Sequence, residues 1–164
     1  MLCDKQAIHH YWIEPQNHLV VSNRNVLITG HTGFKGSWLT CWLIKLGAEV
    51  VGLSKDVPTQ PSMFEDLELE SMIKHHVCDI RDFESLSEII NAERPDVIFH
   101  LAAQPLVLES YRSPLDTIES NINGLCNILD LSRNNGRLKS FLNVTTDKCY
   151  ENNEHGKPFK ETDR

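Results

Sequence analysis

This sequence predicts a doubly wound α/β fold, a parallel sheet with helices on both faces, and three observations carry the prediction. From Asn25 onward, short apolar runs alternate with segments of helical period. The runs, such as Val26–Thr29, are almost uniformly apolar, as expected of strands covered on both faces. A glycine-rich turn, Gly30-His31-Thr32-Gly33-Phe34-Lys35-Gly36, joins the first run to the first helical segment.

The elements follow in order. Val26–Thr29 is a strand that ends at Gly30. Ser37–Leu46 is a helix with Trp38, Leu39, Trp42, Leu43 and Leu46 at helical spacing, and Gly47 stops it. Glu49–Leu53 is the second strand, and the acidic, Pro-containing loop 56–70 holds a short helix at Ser62–Leu69. Lys74–Cys78 is the third strand. Phe83–Glu93 is a helix with Leu86, Ile89 and Ile90 on one face, closed by Arg94-Pro95. Asp96–Ala102 is the fourth strand, Leu115–Asn135 a long helix carrying Ile118, Ile122, Leu125 and Leu129, and Lys139–Thr145 the fifth strand. Residues 1–24 have no clear period and are set apart as an unassigned arm, which leaves 25–164 as the domain.

Composition excludes several function classes. Sixteen Lys and Arg against 23 Asp and Glu give a net charge of −7, which argues against nucleic acid as a partner. No apolar run is long enough to span a membrane, and the start Met1-Leu2-Cys3-Asp4-Lys5 lacks a secretory pattern. The five cysteines include no C-x-x-C pair, and Cys41, Cys78, Cys126 and Cys149 sit in apolar-patterned segments as small hydrophobes. A reduced, cytoplasmic protein is expected.

The glycine turn carries the clearest chemistry. Between a strand and a helix, one glycine permits the tight turn, one lets backbone approach a pyrophosphate, and one lets the helix pack closely. The helix N-terminus then offers N–H groups to the anion. A triphosphate P-loop needs Gly-Lys-Ser/Thr, and here the order is Lys35-Gly36-Ser37. After the second strand, Ser54 stands where an acid for the adenosine ribose is expected. Asp56 could serve from two residues on, or Ser54-Lys55 could admit a 2′-phosphate. Past the third strand, Asp79 is placed to accept from an adenine amino group, and Asp82 to cap the Phe83 helix. His75-His76-x-Cys78 has no second pair of ligands, so no metal is expected. Ala102 and Ala103 close the fourth strand with small residues, and Thr146-Asp147-Lys148 close the fifth with a hydroxyl, a carboxylate and an ammonium.

Together, Gly30–Ser37, Cys78-Asp79-Ile80-Arg81-Asp82, Phe99–Val107 and Thr146-Asp147-Lys148-Cys149-Tyr150 resemble the CDP-glucose 4,6-dehydratase family. That family lies within the extended short-chain dehydrogenase/reductases (NAD-dependent epimerases and dehydratases) that act on nucleotide sugars. The likeness runs from about Asn25 to the last residue; dTDP-glucose relatives look like Asp-Glu where this chain has Asp147-Lys148. The resemblance implies a Rossmann fold and a lyase using bound NAD. In it, hydride leaves C4 of the hexose, water is eliminated across C5–C6, and hydride returns to C6. The CDP-4-keto-6-deoxyglucose product would feed dideoxyhexoses of lipopolysaccharide O-antigen. By position, Thr146 would hydrogen-bond the C4 oxygen, Asp147 would protonate the departing C6 hydroxyl, and Lys148 would remove the C5 proton. Gly30, Gly33, Phe34, Gly36, Asp79, Ile80, Ala102, Ala103 and Gln104 would line the NAD, with Gln104 and Tyr111 reaching substrate.

One departure stands out. None of Tyr11, Tyr111 and Tyr150 has Lys four residues on, so the family's Tyr-x-x-x-Lys pair is not in these 164 residues. The resemblance therefore covers the N-terminal half of the family's fold, stopping after the fifth strand with no sugar-binding domain. The expected alternative to a dehydratase is an inactive NAD-binding remnant or an interaction protein. An unpaired strand edge and apolar helix faces lead to an expected homo-oligomer.

Overall fold

The computed structural model describes residues 21–146, 150–151, 156 and 158–163. Five parallel strands form one sheet: β1 (Asn25–Thr29), β2 (Glu49–Ser54), β3 (Lys74–Val77), β4 (Val97–His100) and β5 (Ser140–Asn143). Their order is β3-β2-β1-β4-β5, with Thr29 level with both Leu53 and His100. The chain winds outward from β1 through β2 to β3, then crosses to the other side for β4 and β5. In such sheets the reversal opens a crevice beyond the carboxyl ends of the central strands, here β1 and β4.

Strict alternation along β1 builds the two cores. Leu27 points to one face, with Leu53, Leu86, Ile98 and Ile128; Val26 and Ile28 point to the other, with Leu43 and Val50. All five β1 residues are buried, as a central strand between two helix layers requires. Helices α3 (Phe83–Glu93) and α6 (Gly124–Asn134) cover the Leu27 face, and α1 (Phe34–Lys45) covers the other.

Several sequence expectations are corrected. α1 begins at Phe34, three residues before Ser37, with Gly33 at its cap. Its buried face is Gly36, Ser37, Thr40 and Leu43, while Trp38 and Trp42 stay half exposed. The helix lies so close to the phosphate turn that small residues fill the contact, and the indoles turn outward. Short α2 (Met63–Asp66) and a 3-10 turn (Leu69–Met72) replace the helix expected over Ser62–Leu69. The long helix is three pieces, α5 (Pro114–Ile118), a π turn (Glu119–Asn123) and α6, and an unexpected α4 (Val107–Arg112) precedes it. Strands β3, β4 and β5 are shorter at their carboxyl ends than the apolar runs suggested. Cys78 is buried, which pushes its thiol up to about 11, but Cys126 is exposed.

The opposite end of the sheet is tied by one buried carboxylate. Asp96, 2% exposed, accepts from the backbone N–H of Asn25 at 3.0 Å and from Nη2 and Nε of Arg137 at 3.0 and 3.2 Å. The Arg137 hydrogen bonds hold its carboxyl below the usual carboxylate range. Asp96→Asn should lower stability by roughly 3 kcal/mol, the scale of one or two charge-assisted hydrogen bonds. Urea unfolding at neutral pH checks this; a change below half a kcal/mol would remove Asp96 as the tie.

Candidate functional site

The phosphate turn sits at the carboxyl end of β1, beside the ends of β2 and β4. Gly30 has φ +75°, and a Cβ there would come within 2.8 Å of the Ala102 backbone nitrogen. A Cβ on Gly36 would run into the Gly30 carbonyl oxygen and His31 Cα. These two glycines are required by the fold itself. Gly33 differs: its φ of −72° suits any residue, and the nearest atom to an added Cβ is Gly30 O at 3.4 Å. No side chain caps α1, and no acid stands in its first turn. By contrast, Asp82 caps α3 by accepting from Ser85 N–H at 3.2 Å, as the sequence suggested. An uncapped helix start with open backbone before it is the arrangement that admits a pyrophosphate.

The turn is anchored from below. Gly30 N–H donates to Leu53 O at 2.8 Å, and the Thr32 hydroxyl donates to Asp56 O at 2.7 Å. His31 is fully buried, with Nδ1 3.0 Å from Ser54 Oγ and Nε2 2.8 Å from His75 Nδ1. Burial, with the neighbouring His75 and His76, lowers its pKa to about 4. A Cβ on Gly52 would strike the His31 ring, so the glycine in β2 makes room for it. Ser54 is thus consumed inside the turn, so no acid reads the ribose from that position. Asp56, two residues on, is exposed. Neither histidine of His75-His76 gathers ligands: His75 faces His31, and His76 lies 3.2 Å from Glu93.

The end of β4 is locked to β1. Leu101 and Ala102 N–H both approach Thr29 Oγ1 at 3.2 Å, and Thr29 Oγ1 lies 2.7 Å from His100 Nδ1. His100 is buried, which lowers its pKa to about 4. Ala102 is half-buried and Ala103 exposed, so small side chains border the crevice. Gln104 is held rigidly: Asn121 Oδ1 accepts from its backbone N–H at 2.7 Å and Asn121 Nδ2 donates to its carbonyl at 3.0 Å. Asn121 lies in the π turn, a common site of functional irregularity. Sequence reasoning missed Asn121, which is one of many polar residues between Leu115 and Asn135 and carries no signal of its own.

Asp79 follows β3 at the same end of the sheet. Its carboxylate is gripped by Arg81, which hydrogen-bonds it and holds its carboxyl below the usual range. The side chain of Ile80 lies in the core against Gly124 and its carbonyl accepts from Asn127 Nδ2 at 3.1 Å, so its backbone N–H is the group left to meet a ligand. Phe34 is 72% exposed at the start of α1, and Tyr111 is 82% exposed on α4. Thr146 is exposed just past β5, whose exit is fixed by Val144 N–H donating to His100 O at 3.0 Å. Asp147 and Lys148 lie outside the described residues. Among the described residues, no three His, Cys, Asp or Glu side chains gather to hold a metal, and no helix is long and apolar enough to cross a membrane.

Residues 27–164 match the family model described as GDP-mannose 4,6 dehydratase. The chain is 47% identical over 131 residues to a CDP-glucose 4,6-dehydratase from Salmonella typhimurium, covering 80% of this chain and 36% of that protein. It spans well under half the length of the curated relatives it matches. Among solved structures, an epimerase from Methanothermobacter thermautotrophicus superposes with a TM-score of 0.73 at 30% identity, over 87% of this chain and 41% of that one. A UDP-glucose-4-epimerase from Stenotrophomonas maltophila, solved with NAD and formylated UDP-arabinopyranose, gives 0.74 at 27% identity, over 86% and 42%.

Proposed function

The chain belongs to the GDP-mannose 4,6 dehydratase family, and from that premise we propose that it forms the NAD-binding part of a CDP-glucose 4,6-dehydratase, a lyase. The single observation behind the cofactor is the cradle: Gly33 is open where Gly30 and Gly36 are closed, before an uncapped helix. The 47% identity to the Salmonella protein supports CDP-glucose as the sugar nucleotide.

In this reading residues 25–164 are the dinucleotide-binding domain and 1–24 an arm outside it. Gly30, Gly33, Phe34 and Gly36 hold the pyrophosphate through backbone. Asp79 and the Ile80 backbone take the adenine, and Ala102, Ala103 and Gln104 border the rest. Bound NAD would supply a hydride acceptor and donor for the sugar. Thr146 would hydrogen-bond the C4 oxygen, Asp147 would give a proton to the leaving C6 hydroxyl, and Lys148 would take the C5 proton. Gln104 and Tyr111 would touch the substrate. An acid and a base on adjacent residues suit an elimination, since each biases the other's protonation. The protein is placed in the cytoplasm, in O-antigen synthesis, as a homo-oligomer with no nucleic-acid or membrane partner. Exposed Leu108, Leu115, Ile118 and Ile122 supply apolar surface for self-association.

The chain joined to the C-terminal part of the Salmonella relative should convert CDP-glucose to a 4-keto product, read by absorbance in alkali. In that chimera Asp147→Asn should cut product formation by about 100-fold or more, while a first turnover still reduces NAD, read at 340 nm. Unchanged product formation in Asp147→Asn would remove its role, and no product from CDP-glucose would remove the substrate. For the cofactor, NAD should outcompete NADP in titration; a tenfold preference for NADP, about 1.4 kcal/mol, would reverse the choice.

A further inference from the structure

We infer that Arg81 is a positioning residue that aims Asp79 at an exocyclic amine, so that the site selects a 6-aminopurine dinucleotide over its 6-oxo counterpart. The inference rests on the proposed reading of Asp79 as the adenine-facing residue. Asp79 Oδ1 accepts from the Arg81 backbone N–H and from Nε, both at 3.0 Å; Oδ2 accepts from Nε at 3.0 Å and Nη2 at 2.6 Å. A carboxylate offers about four acceptor directions. The four contacts come from three N–H groups, because Nε–H is shared between the two oxygens, and the Asp79 side chain stays 28% exposed to a further donor.

The guanidinium is fixed at its other edge too. Arg81 Nη1 donates to Asp116 Oδ1 on α5 at 2.5 Å and lies 3.7 Å from Glu119. A planar fork held from both sides freezes the plane of the carboxylate, which otherwise turns freely about its last torsion. Arg81 also keeps that carboxylate ionised, and therefore acceptor-only. An amine donates to it directly, whereas a 6-oxo group would face it lone pair to lone pair. A 6-oxopurine does carry a donor at N1, one ring position away. A frozen carboxylate cannot follow the donor there, but a released one can. The arrangement remains reachable by ligand, since the side chains of Asp79 and Arg81 are each about 30% exposed.

The test titrates NAD and nicotinamide hypoxanthine dinucleotide into the 164-residue chain by calorimetry, with melting temperatures as a fold check. Wild type should prefer NAD by tenfold or more. Arg81→Gln should bring the ratio to within twofold of unity, chiefly by improving relative binding of the 6-oxo compound. Arg81→Lys keeps the charge but not the fork, and should lose most of the preference as well. Asp116→Asn keeps an oxygen that accepts from Arg81 Nη1, so the fork stays held at both edges and the preference should be retained. If Arg81→Gln weakens both dinucleotides equally and keeps the ratio, Arg81 is merely structural and the inference is overturned. Asp79→Asn separates the two ideas. Loss of preference in Asp79→Asn with its retention in Arg81→Gln overturns the inference alone. Retention in Asp79→Asn, or no NAD binding by wild type, overturns the adenine reading and the inference with it.

Discussion

Gly33→Val should weaken NAD binding by at least a hundredfold, about 2.8 kcal/mol, and leave the fold standing. The position has ordinary backbone angles, and apart from the neighbouring residues the nearest protein atom to an added Cβ is Gly30 O at 3.4 Å, so the backbone has room for a Cβ there. Loss of the glycine cap costs at most about 1 kcal/mol. What the isopropyl group obstructs is the approach of a pyrophosphate to the start of α1. Gly36→Ala should do the reverse. Its Cβ would press on the Gly30 carbonyl and His31 Cα, so stability should fall by about 3 kcal/mol through overpacking. Calorimetric titration beside urea unfolding of both variants separates a ligand cradle from a merely tight turn. Wild-type NAD affinity in Gly33→Val would end the cradle interpretation.

Acid should unfold this domain unusually early. His31 and His100 are 0% and 4% exposed, and burial lowers both to about 4. In the unfolded chain each takes up its proton near 6.5. Between those values the unfolded state binds more protons than the folded one, so stability falls as pH falls from about 6.5 to 4. Each histidine contributes a slope of about 1.4 kcal/mol per pH unit at most, and the pair loses on the order of 5 kcal/mol across the window. That is comparable to the whole net stability of a typical domain, about 5–15 kcal/mol. Asp79 and Asp96, with lowered pKa values, hold their contribution through this window and lose it only at lower pH. Urea midpoints at several pH values between 7.5 and 4.5 should show the slope, and His100→Gln should remove about half of it. A flat profile would mean that neither histidine is kept neutral.

The glycine turn was legible because its chemistry is local: a strand, three small residues at fixed spacing and a helix leave few other uses. α3 was legible from Asp82 to Glu93 because a capping acid, an apolar stripe and a following Pro95 all agree. The buried face of α1 was not. Trp38 and Trp42 share a helical stripe with Leu39 and Leu43, and nothing in the period says that the close approach at Gly36 excludes an indole. The π turn was hidden because one extra residue in a helix leaves the apolar pattern of Ile118, Ile122 and Leu125 nearly unchanged. With it went Asn121, whose grip on Gln104 depends on a contact 17 residues away in sequence. Ser54 read as a missing acid; its partner is His31 inside the turn, a pairing set by the β1–β2 register rather than by local spacing.

The most direct test is a crystal structure of this chain grown with NAD. The expected result is a pyrophosphate lying against Gly33 and the first N–H groups of α1, with the adenine amine within hydrogen-bond reach of Asp79 and the nicotinamide arm passing Ala102. A dinucleotide bound elsewhere, or a turn left empty at saturating NAD, would contradict the central claim that residues Gly30–Gly36 form its cradle.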